Sequence, residues 1–304
     1  MAQSNTLNVV RAISKKQRTT AFVFALSLFW GLIANAYSCK ETSAQSLPFE
    51  YCYESLGENA HQSHVIYYLH GMGSDARAAF TGSAKPLRDE LLQRKDQAML
   101  VGVSLGPRWF LIEKHPTPTG RVNTLQIFAE ILLPNIEREM GLASDVKRSI
   151  VSESMGGFNA IQLLTYYPKL WQRVSLNCPA IFNLTPFSTQ QEVNAYIDRH
   201  KPYSNAEKIW EYYHLARYLF ESLPEWQRHD PLLLASRLSP LSAKLLVSVG
   251  DQDDLGVNEG TLQFYFLAQS TGTRAMLQLL SGGHCVFDWQ SIAEFVGAES
   301  RARP

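Results

Sequence analysis

Residues 148–157 read Arg-Ser-Ile-Val-Ser-Glu-Ser-Met-Gly-Gly. A short β-branched run at Ile150 and Val151 enters a Ser/Gly-rich turn, and Phe158, Ile161, Leu164 and Thr165 follow at helical spacing. This is strand, sharp turn, helix, with Ser154 at the apex. A serine there projects its hydroxyl clear of a sheet. Small neighbours let the backbone turn, and the helix N-terminus behind it favours developing negative charge. The pattern is G-x-S-x-G with Ser152 in place of the first glycine. A plain Ser/Gly helix cap would read the same way, so the flanking chain has to decide.

Working outward, the apolar runs His64–Leu69 and Ala98–Val103 on one side predict strands buried on both faces. Val174–Leu176, Lys244–Val249 and Ala275–Leu280 on the other side predict three more. An earlier strand is expected over Phe49–Glu54, where aromatic and polar residues alternate. Helical periodicity covers residues 84–95, 123–140 (with a kink expected at Pro134) and 259–271. Strands alternating with helices imply a mostly parallel sheet covered on both faces. One α/β domain is expected over residues 47–304. Residues 181–240 contain no clean strand and form a helical insertion rich in Tyr, Trp and His. Its aromatics (Tyr196, Tyr203, Trp210, Tyr212, Tyr213, Trp226) fit either a cap over a pocket or ordinary packing.

Three of the turns that follow strands carry useful side chains, in the order Ser154, an aspartate near 253, His284. Nucleophilic acyl transfer needs this set: a serine to attack a carbonyl, a histidine to take and return its proton, and a carboxylate to hold the imidazole. Open α/β sheets place their sites past the C-terminal ends of strands, where all three fall. Asp251 and Asp254 compete with Asp253, since a shift of one residue in the loop would exchange them.

The chain here resembles the α/β-hydrolase superfamily. Within it the chain is most similar to the Putative esterase family, which includes S-formylglutathione hydrolases, feruloyl esterases and mycolyltransferases. The matching pieces are Tyr-Tyr-Leu-His-Gly (67–71), Ser-Met-Gly-Gly-Phe-Asn-Ala (154–160), Tyr-Tyr-Pro (166–168), Asp230-Pro231-Leu232, Gly-Asp-Gln-Asp-Asp-Leu (250–255), and Gly282-Gly283-His284 with Trp289 after it. The resemblance implies the α/β-hydrolase fold, Ser154 as nucleophile, His284 as base and Asp253 as the acid. It also implies an oxyanion hole made by the backbone N–H groups of Met72 and Met155. His70 is assigned to the conformation of the first loop. The substrate implied is a small-molecule carboxylic ester, with no cofactor and no metal. A thioester, a peptide bond or acyl transfer to another alcohol would use the same machinery. A non-catalytic binding protein on this scaffold is the alternative of a different class.

At the amino terminus Arg11, Lys15, Lys16 and Arg18 precede an apolar stretch from Ala21 to Ala34 that ends in Ala34-Asn35-Ala36. A basic region, a short apolar core and an A-x-A site predict a signal peptide over residues 1–36, export to the periplasm or medium, and no stable membrane span. Acylation of Cys39 as a lipoprotein is a weaker alternative. Formal net charge is zero, which argues against nucleic acid as a partner. An exported chain permits disulfides, and Cys39 with Cys52 is the sequence-local pairing. Cys285, next to His284, is expected as a small buried hydrophobe, with a bond to Cys178 as the weaker alternative.

Overall fold

A computed structural model describes residues 37–60, 64–238 and 243–297. The expected signal peptide over residues 1–36 lies outside the described residues. The chain builds an eight-stranded sheet in the order β1-β2-β4-β3-β7-β8-β9-β10. Its strands are β1 (Ser38–Ala44), β2 (Leu47–Ser55), β3 (His64–Leu69), β4 (Met99–Ser104), β7 (Lys147–Glu153), β8 (Arg173–Asn177), β9 (Lys244–Gly250) and β10 (Ala275–Leu280). From β4 through β10 every pairing is parallel, while β2 runs antiparallel to β4. Every residue of β3 and β4 is buried, which is why both read as continuous apolar runs.

The helices are α1 (Ala78–Thr81), α2 (Lys85–Gln93), α3 (Thr124–Gln126), α4 (Leu133–Glu139), α5 (Met155–Tyr166), α6 (Gln190–Arg199), α7 (Ala206–Leu219), α8 (Leu223–His229), α9 (Pro231–Ala235), α10 (Val257–Ser270) and α11 (Trp289–Val296). They pack in two groups, α2 with α11 and α5 with α9 and α10. Both α5 and α11 rest on β7 and β8. The result is the α/β-hydrolase arrangement of a largely parallel sheet clothed by helices.

Several local details depart from the sequence expectation. Residues 41–46 contribute to an edge strand and its turn. Gln45 and Ser46 both take positive φ (49° and 66°) and join β1 to β2 as a two-residue hairpin turn. A small hairpin, β5 (His115–Thr117) with β6 (Gly120–Val122), lies between β4 and α3, where no strand was expected. The kink expected at Pro134 takes the form of a π-helical turn, Ile127–Leu132, between α3 and α4. Proline supplies no N–H to the ladder, and the neighbouring Leu133 N–H reaches back to the Phe128 carbonyl instead. Within the helical insertion α7 stops at Leu219, and α8 begins after Ser222 caps it. Between β8 and β9 the described residues hold α6 to α9 and no strand, as expected for residues 181–240.

Candidate active site

Ser154 follows the last residue of β7 and precedes α5, with φ 50° and ψ −111°. A non-glycine residue held there costs about 1–3 kcal/mol and persists only when its surroundings over-determine it. The Ser154 carbonyl accepts the N–H groups of Gly157 (2.9 Å), Phe158 (3.3 Å) and Ala180 (2.9 Å). Its own N–H donates to the Asn177 carbonyl at 3.1 Å. The two glycines after Met155 are required by close packing. A Cβ on Gly156 would sit 2.0 Å from the Leu69 carbonyl oxygen, and one on Gly157 2.6 Å from Pro179 Cα. The start of α5 is therefore pressed against the ends of β3 and β8. Ser152, the departure from the glycine pattern, is fully buried, and its hydroxyl donates to the Ser175 carbonyl of β8 at 2.9 Å. The extra oxygen is absorbed by the neighbouring strand.

His284 and Asp253 come from loops after β10 and β9. The imidazole stands between two partners, with Nε2 3.0 Å from Ser154 Oγ and Nδ1 2.7 Å from Asp253 Oδ2. The second Asp253 oxygen accepts the Leu255 N–H at 2.9 Å. The rival aspartates are occupied elsewhere. Asp251 accepts the Gly282 N–H at 3.0 Å, and Asp254 faces Lys208 at 3.4 Å. Of the three, only Asp253 has an inter-residue bond to the imidazole, and its side chain is wholly buried.

Met155 opens α5, and Met72 lies in the turn after β3. Those strands are neighbours in register, with Leu69 opposite Ser152. Among the described residues neither the Met72 nor the Met155 amide donates a hydrogen bond within the chain. Behind this loop, His70 is fully buried. Trp109 Nε1 donates to His70 Nε2 at 3.0 Å, and an indole N–H can only donate. His70 Nε2 is therefore an acceptor, and Nδ1 carries the proton that goes to the Gly71 carbonyl at 2.7 Å. Burial lowers the His70 pKa, in keeping with a neutral ring. In a trans peptide the C=O and the following N–H point in opposite directions. Holding the Gly71 oxygen thus fixes the direction of the Met72 N–H.

Two features of the site go beyond the first expectation from sequence. The Tyr212 hydroxyl, from α7, lies 3.2 Å from Ser154 Oγ, and burial pushes its pKa above the ordinary range, so it stays protonated. Cys285 is not a free buried hydrophobe, the first expectation, but takes the alternative pairing. It is bonded to Cys178, which directly follows β8. Sheet order explains the pairing: β8 and β10 flank β9, so the loops leaving them meet above it although 107 residues separate the two cysteines. The second disulfide, Cys39–Cys52, is the sequence-local pairing.

The Putative esterase family profile matches residues 34–298, nearly the whole chain. The chain belongs to this esterase family. No curated protein matches it in sequence. Among solved structures it is similar to an S-formylglutathione hydrolase from Agrobacterium tumefaciens (16% identity, TM-score 0.63, covering 86% of this chain and 95% of that one). It is similar to a Pyrobaculum calidifontis esterase (17%, 0.60, 94% and 92%) and to a ferulic acid esterase (18%, 0.57, 85% and 93%). At these identities the likeness speaks for the α/β-hydrolase fold. Family membership places this esterase among carboxylic ester hydrolases that act on small molecules. Among the described residues no helix is long and apolar enough to cross a membrane.

Proposed function

We propose that this protein is an exported serine esterase that works through an acyl-enzyme. The observation that carries the reading is the unbroken line Ser154–His284–Asp253, with contacts of 3.0 and 2.7 Å at the C-terminal edge of the sheet. Ser154 attacks the ester carbonyl while His284 Nε2 takes its proton. Asp253 keeps the imidazole's other proton on Nδ1 and stabilises the imidazolium that forms. The tetrahedral oxyanion falls to the Met72 and Met155 amides, two donors fixed in place before the substrate arrives. His284 returns the proton to the departing alcohol, and a water activated by the same imidazole releases the acid.

Export is supported by the basic–apolar–A-x-A pattern ahead of the domain and by two disulfides, which persist in oxidising compartments. Cys39 is already bonded to Cys52, which argues against a lipid on that sulfur. The test is a fluorophosphonate probe. It should label Ser154, and Ser154→Ala should abolish both labelling and turnover of short p-nitrophenyl esters. Folded wild-type protein that stays unlabelled would sink the reading.

A further inference from the structure

Among the described residues the Ser154 hydroxyl has two hydrogen-bond partners, His284 Nε2 at 3.0 Å and the Tyr212 hydroxyl at 3.2 Å. A serine hydroxyl carries one proton. With His284 Nδ1 donating to Asp253, Nε2 is the free acceptor and takes the Ser154 O–H. Toward Tyr212 the serine oxygen can therefore only accept, and Tyr212 donates a hydrogen bond to a lone pair of the nucleophile. This donor is held in two ways. Its ring packs against Phe182, with centroids 5.3 Å apart. The start of α7 is also tied to the loop that carries the triad acid. The Asn205 N–H donates to the Asp254 carbonyl at 2.6 Å, and the Asn205 side chain caps the helix at the Lys208 N–H. One loop thus sets Asp253 behind the imidazole and, through α7, Tyr212 beside the serine.

Resting on the serine-esterase reading, we propose that Tyr212 is a further catalytic residue, whose hydroxyl speeds release of the acyl group from Ser154 and leaves its arrival there nearly untouched. Only a contact that is stronger in the transition state than in the preceding ground state raises a rate. Before acylation Oγ is a hydroxyl oxygen, a good acceptor already bonded to Tyr212, so attack on the ester gains little. In the acyl-enzyme Oγ is the alkoxy oxygen of an ester. Its lone pairs are drawn into the carbonyl, and it accepts poorly. Water then adds to that carbonyl while one of its protons passes to His284 Nε2. Conjugation is lost, the C–Oγ bond breaks with its electron pair moving to Oγ, and Nε2 returns the proton to Oγ. Tyr212 keeps its own proton throughout, and its bond to Oγ strengthens in this half of the cycle alone.

The experiment is stopped-flow turnover of p-nitrophenyl acetate by wild type, Tyr212→Phe and Tyr213→Phe, which separates the burst rate of acylation from the steady-state rate of deacylation. Tyr213→Phe is the packing control. It removes a hydroxyl from the same helix, where it donates to the Ser188 carbonyl at 2.6 Å, and does not touch Ser154. In Tyr212→Phe deacylation should slow about 10- to 100-fold, the loss expected for a hydrogen bond to an oxygen gaining charge. Acylation and fluorophosphonate labelling should stay within about threefold of wild type, since neither gains from the contact. The acyl-enzyme should accumulate as a burst of one p-nitrophenol per labelled site, and KM should fall with kcat. For the same reason kcat for phenyl acetate and p-nitrophenyl acetate should converge, because both pass through one acyl-enzyme. Tyr213→Phe should leave the ratio of the two rates unchanged. A merely structural Tyr212 would lower both rates together, and that result, or two unchanged rates, overturns the assignment while labelled wild type leaves the serine-esterase reading standing. Wild type that stays unlabelled overturns that reading, and Tyr212 with it.

Discussion

Cys178 and Cys285 are bonded to one another, joining the segment that leaves β8 to the residue that follows His284. Both take positive φ (44° and 58°), so each lies at a sharp turn. Cys178 donates its N–H to the Ser248 carbonyl of β9 at 2.7 Å, which anchors that end of the bridge to the sheet. The bridge thereby holds the His284 loop against the segment that supports the elbow, since Ala180 binds the Ser154 carbonyl.

Replacing both cysteines by alanine should therefore affect stability and rate together. Loss of a bridge closing a loop of this size typically costs about 2–5 kcal/mol, or roughly 5–15 °C in melting temperature for a domain this large. A loosened imidazole should also lower kcat by about 10- to 100-fold, as expected for a reacting group misplaced by an ångström. Calorimetry and ester turnover, both measured well below the melting transition, separate the two effects. Unchanged kcat in the double variant would show that the bridge only stabilises the fold.

The three aspartates after β9 should behave unequally. Asp253→Asn keeps the shape but offers the imidazole an amide in place of the carboxylate, and kcat should fall by about 10⁴-fold. Asp251→Asn weakens a bond to the Gly282 N–H, and Asp254→Asn removes the charge facing Lys208. Each of these should stay within about tenfold of wild type, since a single such contact contributes about 1 kcal/mol. Steady-state kinetics on one ester ranks the three.

His70 should act as a positioning residue. It holds the Gly71 carbonyl and so aims the Met72 N–H. His70→Ala should lower kcat by about 100- to 1,000-fold, the usual loss when one oxyanion donor is missing. KM should move little, because the donor acts on the tetrahedral species. The rate of fluorophosphonate labelling should fall in parallel, since that reaction also places an oxygen in the hole. A change confined to KM would contradict this role.

Acid should destabilise the protein through His64 at the start of β3. The ring is buried against Ser149 Oγ at 2.8 Å. Burial, with Arg173 and Lys147 nearby, lowers its pKa from 6.5 to about 4. The unfolded chain therefore takes up the proton first as the pH falls. The stability this residue contributes is full above pH 6.5 and is lost on the way down to pH 4. At pH 5 the loss from this residue is about 2 kcal/mol. Urea titrations at pH 7.5 and pH 5 should show a drop smaller by about that amount in His64→Gln. Equal drops in variant and wild type would rule the mechanism out.

The elbow itself was legible in the chain. β-Branched residues, small residues at the turn and apolar residues at helical spacing are local signals, and Ser154 sits where they place it, at the apex between β7 and α5. The strand His64–Leu69 and the strand Ala275–Leu280 were also readable to the residue, because each is an apolar run bounded by turn chemistry. Local pattern fails where the partner is distant in the chain. The resemblance pointed to Asp253, but the local chemistry of Gly-Asp-Gln-Asp-Asp-Leu leaves three carboxylates in competition; which one reaches His284 depends on how the loop after β9 lies beside the loop after β10. The bond from Cys178 to Cys285 follows from strand order. The approach of Tyr212 to Ser154 depends on how α7 lies over the elbow, and it joins residues 58 positions apart. The sequence by itself determined the type of each element and the order Ser, Asp, His, because turn and strand chemistry act over a few residues. Which side chains meet was decided by packing between strands and helices remote in the chain.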